Sequence, residues 1–153
     1  MLTLFEPGQE KAWLDSFKFS VDVKPRYCEC DGLGHVSNTV YPEYLEFSRL
    51  QYLIAAGDPE PGPFAFAHVT GNFEVRYLAP CFYDETLRVM SKLVSLGRSS
   101  ATMEQAIVGG KGSTDLRAIA RAIFVRIDGD KTAPWTAAQR EALERFAGTG
   151  PSD

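Results

Sequence analysis

One helix constrains this chain more than anything else in it. From Tyr41 onward, YPEYLEFSRLQYLIAA sets Tyr44, Leu45, Phe47, Leu50, Tyr52, Leu53 and Ile54 on almost every side of a helix. Glu43, Glu46 and Arg49 form its only charged stripe. A helix of this kind is one that other elements enclose, because an apolar side left in water forfeits its burial. Its ends are legible as well. Pro42 suits the first helical position, Asn38 or Thr39 stands where a capping side chain belongs, and Gly57 is the natural stop. Beyond it, Asp58-Pro59-Glu60-Pro61-Gly62-Pro63 reads as a loop that nothing helical can cross.

Strands supply the enclosure. Phe17 to Tyr27 alternates apolar and polar residues at Phe17, Phe19, Val21 and Val23, and Pro25 confines the end of that segment to an edge or a bulge. After the helix come Ala65 to Leu78, Glu85 to Leu96, Ser100 to Val108 and Leu116 to Ile127, all alternating or rich in β-branched residues. Turns at Ala79-Pro80, Gly97-Arg98-Ser99 and Gly109-Gly110-Lys111-Gly112 separate them, and connections this short make an antiparallel meander the economical arrangement. Thr136 to Ala147 is a short amphipathic helix, and Gly148 to Asp153 reads as a frayed tail. The order β–α–β–β–β–β–α predicts an α+β fold, a curved antiparallel sheet wrapped around one long helix. It forms a single domain over 1–153, with its core at about 17–128 and a C-terminal helix at about 136–147. The first 16 residues, Trp13 among them, have no legible role.

Composition narrows the function classes. With 153 residues, 44% hydrophobic and 24% charged, the chain is an ordinary globular domain able to bury a core without disulfides. A net charge of −4 argues against nucleic-acid binding, which needs clustered Lys and Arg. No segment has the roughly 18 consecutive apolar residues that a membrane span needs. The N-terminal stretch MLTLFEPGQEKAWLDSF lacks the pattern of a signal peptide, so a cytoplasmic location is expected. Cys28-x-Cys30 is not a usual zinc spacing, and His35 and His68 are too scattered to complete a site, so no metal is expected. In a strand, Cys28 and Cys30 share a face, which suits two small buried thiols.

The chemistry concentrates in RYCECDGLGHVSNTVYPEYLEFSRLQY, residues 26–52. A polar loop there holds Asp31, His35 and Asn38 and opens directly onto the long helix. A carboxylate aimed at the amide end of a helix can attack or hydrate a carbonyl. The backbone N–H groups of residues 36–39 hold the developing oxyanion, and the acid supplies the nucleophile or the base.

Tyr27, Asp31, Gly34-His35-Val36, Asn38, Tyr41, Tyr44-Leu45-Glu46 and Arg49 resemble the signature of the hotdog-fold acyl-CoA thioesterases of the 4-hydroxybenzoyl-CoA thioesterase type. The Asp-x-x-x-His-x-x-Asn spacing is also similar to that of plant acyl-ACP thioesterases. The resemblance covers roughly residues 17–128. It implies a hotdog fold and hydrolysis of an acyl-CoA or acyl carrier protein thioester, with no cofactor beyond the CoA that the substrate carries. It also implies a homodimer or homotetramer with active sites at the subunit interface. Asp31 takes the place of the nucleophile or general base, and an amide at the helix N-terminus polarises the carbonyl.

Each residue also has a plainer reading. Asp31-Gly32 is a common turn pair, His35 can be a structural histidine fixing the loop, and Asn38 can be a cap. Tyr41 and Tyr44 suit packing or an acyl pocket. Glu46 is a rival catalytic carboxylate, although its spacing to Arg49 suggests an ion pair. For the CoA phosphates, Arg98 with Ser99 and Ser100 in a hairpin turn is the leading patch, against a merely solvated arginine; Arg76, Arg126 and Lys131 rank lower. Phe64, Phe66, Phe73 and Phe82 fit an aromatic acyl group or the core. A non-catalytic acyl-CoA binding or sensing protein is the rival function, and an enoyl-CoA hydratase stands behind it.

Overall fold

The structure, a computed structural model, describes residues 1–57, 67–112 and 114–149. In chain order it contains α1 (Glu10–Asp15), β1 (Phe19–Val23), a 3-10 turn (Tyr27–Glu29), α2 (Tyr41–Ala56), β2 (His68–Tyr77), β3 (Leu87–Leu96), β4 (Ser100–Gly109), β5 (Asp115–Asp128), β6 (Lys131–Thr132) and α3 (Ala137–Thr149). The strands pair antiparallel in the order β1-β3-β4-β5-β2, with β6 added to the end of β5. The expected meander of four strands is therefore confined to β3, β4 and β5: β1 takes the place beside β3, and β2 pairs with β5 at the far edge. The pairing register shifts between Leu93 and Ser95, between Thr70 and Asn72, and between Ile107 and Val108, and irregularities of this kind bend a sheet.

The sheet curls around α2. Strand alternation turns Leu87 and Val89 of β3 and Ile107 of β4 toward Tyr44 and Leu45 of the helix. On β5 the matching residues are Ala118 and Ala120, both fully buried, and side chains this small let the helix close on the sheet. The C-terminal half of α2, Tyr52, Leu53 and Ala56, packs with Met103, Phe124, Trp135, Leu143 and Phe146, so α3 plugs that end. The N-terminus of α3 is held by a capping box: Gln139 N donates to Thr136 Oγ1 (3.1 Å), and Thr136 N donates to Gln139 Oε1 (3.1 Å).

The first residues acquire a role that the sequence did not show. Leu2, Trp13 and Phe17 cover the outer face of the sheet over Ala106 and Ile119. Trp13 Nε1 donates to Glu104 Oε2 (2.8 Å), while Lys92 pairs with the same oxygen (3.3 Å) and lies over the rings of Trp13 and Phe17.

Several expectations change. β1 ends at Val23, and the segment holding Cys28 and Cys30 is a 3-10 turn followed by a single bridge. Cys28 is therefore exposed and Cys30 half-buried, leaving Cys81 as the buried thiol. Helix α2 starts at Tyr41 with Val40 at its N-cap and no side-chain capping bond. Neither Asn38 nor Thr39 caps it, and Pro42 is its second residue. Within the single chain α2 is not enclosed all round, since Phe47, Leu50 and Ile54 stay 46%, 44% and 54% exposed. Arg49 leaves the charged stripe altogether. It is buried, donates to Gln105 Oε1 (2.9 Å) and lies over Phe73; among the described residues no ion pair joins it to Glu46. Helix α3 runs on to Thr149, through the start of the expected tail. The Asp58-to-Pro63 loop, Phe64 and Phe66 lie outside the described residues.

Candidate active site

Loop 31–38 is a tight structure built largely by its own backbone. Asp31 N donates to His35 O (2.7 Å), Cys30 bridges Val36, and Val36 N donates to Cys81 O (2.9 Å). Gly34 turns the loop at φ 77°, a conformation that a side chain resists. The Asp31 carboxylate joins in through Oδ1, which accepts Leu33 N (2.9 Å) and His35 N (3.3 Å) in the manner of an Asx turn, while Oδ2 takes neither bond.

Asp31, His35, Val36, Asn38, Tyr41, Tyr77, Ala79 and Pro80 line one open cleft of about 210 Å³. Asp31, His35, Asn38 and Tyr41, distant from one another by up to ten positions in sequence, therefore meet in space. The expected oxyanion donors narrow to two. Val36 N is spent on Cys81 O, and Ser37 N on Glu29 O (2.8 Å). Among the described residues, the amides of Asn38 and Thr39 have no acceptor, and they sit where the positive end of α2 begins.

The walls are fixed by residues whose polar groups are already occupied. Tyr41, 4% exposed, donates its hydroxyl to Ala79 O (3.4 Å) and accepts from Cys81 N (3.0 Å). Burial pushes its pKa above the usual tyrosine range. The Tyr77 ring stands edge-on to Tyr41, and its hydroxyl donates to Asn38 O (2.8 Å), orienting the peptide that opens the helix. The His35 imidazole packs edge-on against Phe82 with centroids 5.2 Å apart; it is the His35 backbone, not the ring, that reaches Asp31. Behind Phe82 lies Arg117, which donates to Pro80 O (2.7 Å) and pairs with Glu85 Oε2 (3.3 Å). Burial raises the Glu85 carboxyl above its ordinary value, against the pull of Arg117.

Glu29 anchors the loop from below. Its Oε2 accepts Arg26 N (2.7 Å) and the Tyr44 hydroxyl (2.6 Å), and its Oε1 accepts Arg26 Nε (2.9 Å). Burial acts to raise the Glu29 carboxyl, but these bonds outweigh it and hold the group below the usual carboxylate value. Neither Glu29 nor Tyr77 was a candidate from sequence. Glu29 meets Tyr44 across fifteen positions and Tyr77 meets Asn38 across thirty-nine, and no local spacing signals contacts so distant.

The remaining candidates lie elsewhere. Glu46 is exposed on α2, outside the cleft. Arg98 and Ser99 line a separate hollow of about 170 Å³ with Thr132, Ala133 and Pro134. There the backbone of the turn is engaged: Arg98 O accepts Trp135 N, and Ser100 O accepts Trp135 Nε1. A roomier hollow of about 560 Å³ lies under α1, and both cations of its lining are already paired, Lys11 with Asp15 and Arg88 with Asp22 beyond the lining. Among the described residues, no group of three or more His, Cys, Asp or Glu is placed to hold a metal ion, and no helix is long and apolar enough to cross a membrane.

A central helix wrapped by a curled sheet has counterparts among known proteins. The chain belongs to the thioesterase-like superfamily, whose family model matches residues 25–143. It is similar to a thioesterase from Thermus thermophilus crystallised with coenzyme A and zinc, at 29% identity and a TM-score of 0.78, covering 88% of this chain and 97% of the other. A thioesterase-superfamily protein from Jannaschia sp. CCS1 matches at 23% identity and 0.75, covering 89% and 87%. A 4-hydroxybenzoyl CoA thioesterase mutant complexed with 4-hydroxybenzoyl CoA matches at 16% and 0.73, covering 82% and 97%. These last two likenesses are of fold alone, the hotdog fold. No curated protein sequence matches the chain.

Proposed function

We propose that the protein hydrolyses the thioester of an acyl-CoA, or of an acyl carrier protein, to a free acid and a thiol. The observation that carries this reading is the cleft itself: Asp31 and Asn38 line one opening, and the amides of Asn38 and its neighbour Thr39, at the start of α2, are unengaged among the described residues. Family membership supports the reaction class.

A thioester carbonyl is weakly resonance-stabilised and accepts attack readily, so a carboxylate suffices. Asp31 either attacks the carbonyl carbon, expelling the thiolate and leaving a mixed anhydride that water opens, or takes a proton from the attacking water. In both routes the Asn38 and Thr39 amides receive the charge on the tetrahedral oxygen. Losing one donor of this kind typically costs about 2.7–4 kcal/mol of barrier. His35, held by Phe82, borders the same space and is assigned to orienting water or donating to the oxygen. Tyr41 and Tyr77 shape the wall.

The CoA nucleotide is assigned to Arg98 with Ser99 and Ser100. Arg98 and Ser99 line a hollow separate from the cleft of Asp31, so in this reading one CoA touching both groups draws them from two copies. A homodimer or homotetramer is part of this proposal. The exposed Phe47, Leu50 and Ile54 of α2 and the edge strand β2 support it, because both offer surface that a second copy would bury. Glu46, on that open face of α2, is assigned to the interface side of the substrate site. A cytoplasmic setting accompanies this reading.

The test is thiol release from short-chain, long-chain and aromatic acyl-CoAs, comparing the protein with its Asp31→Asn variant. Collapse of turnover in a folded variant supports the assignment and the panel names the acyl class. Undiminished turnover moves the chemistry away from Asp31, and no turnover on any CoA or carrier-protein thioester overturns the reading.

A further inference from the structure

The geometry points to Glu29 as the positioning residue that sets the Asp31 carboxylate against the N-terminus of α2, an inference that rests on the thioesterase reading above. Between Pro25 and Val36, Glu29 is the only buried residue, at 9% exposure. The side chains best suited to pin this arm by apolar burial do not, since Tyr27 is 81% exposed and Leu33 79%. The arm is held instead by a charge, and burying a charge is a poor way to gain stability alone, because desolvation offsets much of the attraction.

What the charge supplies is register. Its Oε2 ties the arm to α2 through the Tyr44 hydroxyl, one helical turn past Tyr41, and to the Arg26 amide. Its Oε1 takes the Arg26 guanidinium through Nε and Nη2, both at 2.9 Å. Its backbone oxygen accepts Ser37 N on the returning arm, and the next residue, Cys30, bridges Val36. The returning arm is fixed separately, by Val36 N on Cys81 O and by the bridge from His35 to Phe82. Glu29 is thus the side-chain fastening of the outgoing arm, and Asp31 stands two residues beyond it. If it loosens, the carboxylate moves relative to the Asn38 and Thr39 amides while the cleft walls stay in place. A misplacement of about 1 Å at a reacting group can cost on the order of a hundredfold in rate.

The test uses Glu29→Gln, Tyr44→Phe and the double variant in the full chain, with two readouts. Steady-state hydrolysis of the best acyl-CoA should show kcat falling about tenfold to a hundredfold while KM stays within about threefold. The double variant should be no worse than the poorer single one, because both remove the same contact. Amide hydrogen exchange should speed up at Cys30, Asp31, Gly34 and Ser37, whose amides bond to or from the outgoing arm, and remain unchanged at Val36 and in β3 and β4. Unchanged exchange in the loop, a raised KM at unaltered kcat, or faster exchange throughout the protein would each overturn the proposal. The exchange arm needs no substrate. A wild-type protein that hydrolyses no thioester therefore fails the functional reading, while loop exchange still decides whether Glu29 holds the loop.

Discussion

Replacing Tyr41 with phenylalanine removes one oxygen atom and separates packing from substrate contact. The hydroxyl accepts the amide of Cys81, a residue with no exposed surface, at 3.0 Å, and donates to Ala79 O at 3.4 Å. The longer bond contributes little. The loss that counts is the Cys81 amide, which becomes a buried donor without a partner, at about 1–3 kcal/mol. For a chain of this length, about 2 kcal/mol lowers Tm by about 4–8 °C. Urea and thermal unfolding of wild type and Tyr41→Phe, run at one protein concentration because association shifts apparent stability, should show this loss. Thioester kinetics should show KM within about twofold of wild type, because the hydroxyl is committed to the fold. An unshifted Tm together with a raised KM would refute the reasoning, since the hydroxyl would then be serving the substrate.

Other consequences are equally direct. The folded-state pKa of Glu29 lies below its ordinary 4.5, so its contribution to stability is present above that pH and lost as pH falls through the folded value. Glu29→Gln should therefore lose less Tm than wild type between about pH 6 and pH 3; parallel pH dependences would contradict the assigned bonds. Burial raises the Cys81 thiol to about 11, so at pH 8 a thiol reagent should modify exposed Cys28 promptly and reach Cys81 only on unfolding, with mass spectrometry reading the sites. Equal labelling of all three cysteines would contradict the packing. Trp13→Ala opens the outer face of the sheet and should cost about 3–5 kcal/mol in denaturant unfolding, where a loss below about 1 kcal/mol would show that the N-terminal segment is not docked. Leu50→Glu on the open face of α2 should shift the protein toward its 16.9 kDa chain mass in light scattering, whereas an unchanged mass excludes that face from the interface.

Local pattern was enough to read the elements themselves. Two-residue alternation marked β3, β4 and β5, and Gly and Pro marked their turns. The expected four-strand meander, however, holds only from β3 to β5, because β2 crosses over to pair with β5 and leaves β3 to β1. The loop spacing also brought Asp31, His35 and Asn38 to one helix end, because those residues are near neighbours along the chain and a short loop keeps them together. Pattern failed wherever a residue's state depends on partners far away in sequence. Arg49 looked like a surface charge until Gln105 of β4 and Phe73 of β2 gave it an inward site. Cys28 looked buried until the chain left the strand at Val23. Trp13 had no meaning without Glu104 and Lys92 of the outer sheet face. The sequence determined which backbone would form and which acid would share a cleft with the start of the long helix, since both follow from neighbours within a few residues. Only the tertiary structure decided which amides stay unspent, that Tyr41 is a strut and that a buried Glu29 holds the loop, because each depends on hydrogen-bonding groups brought together by folding.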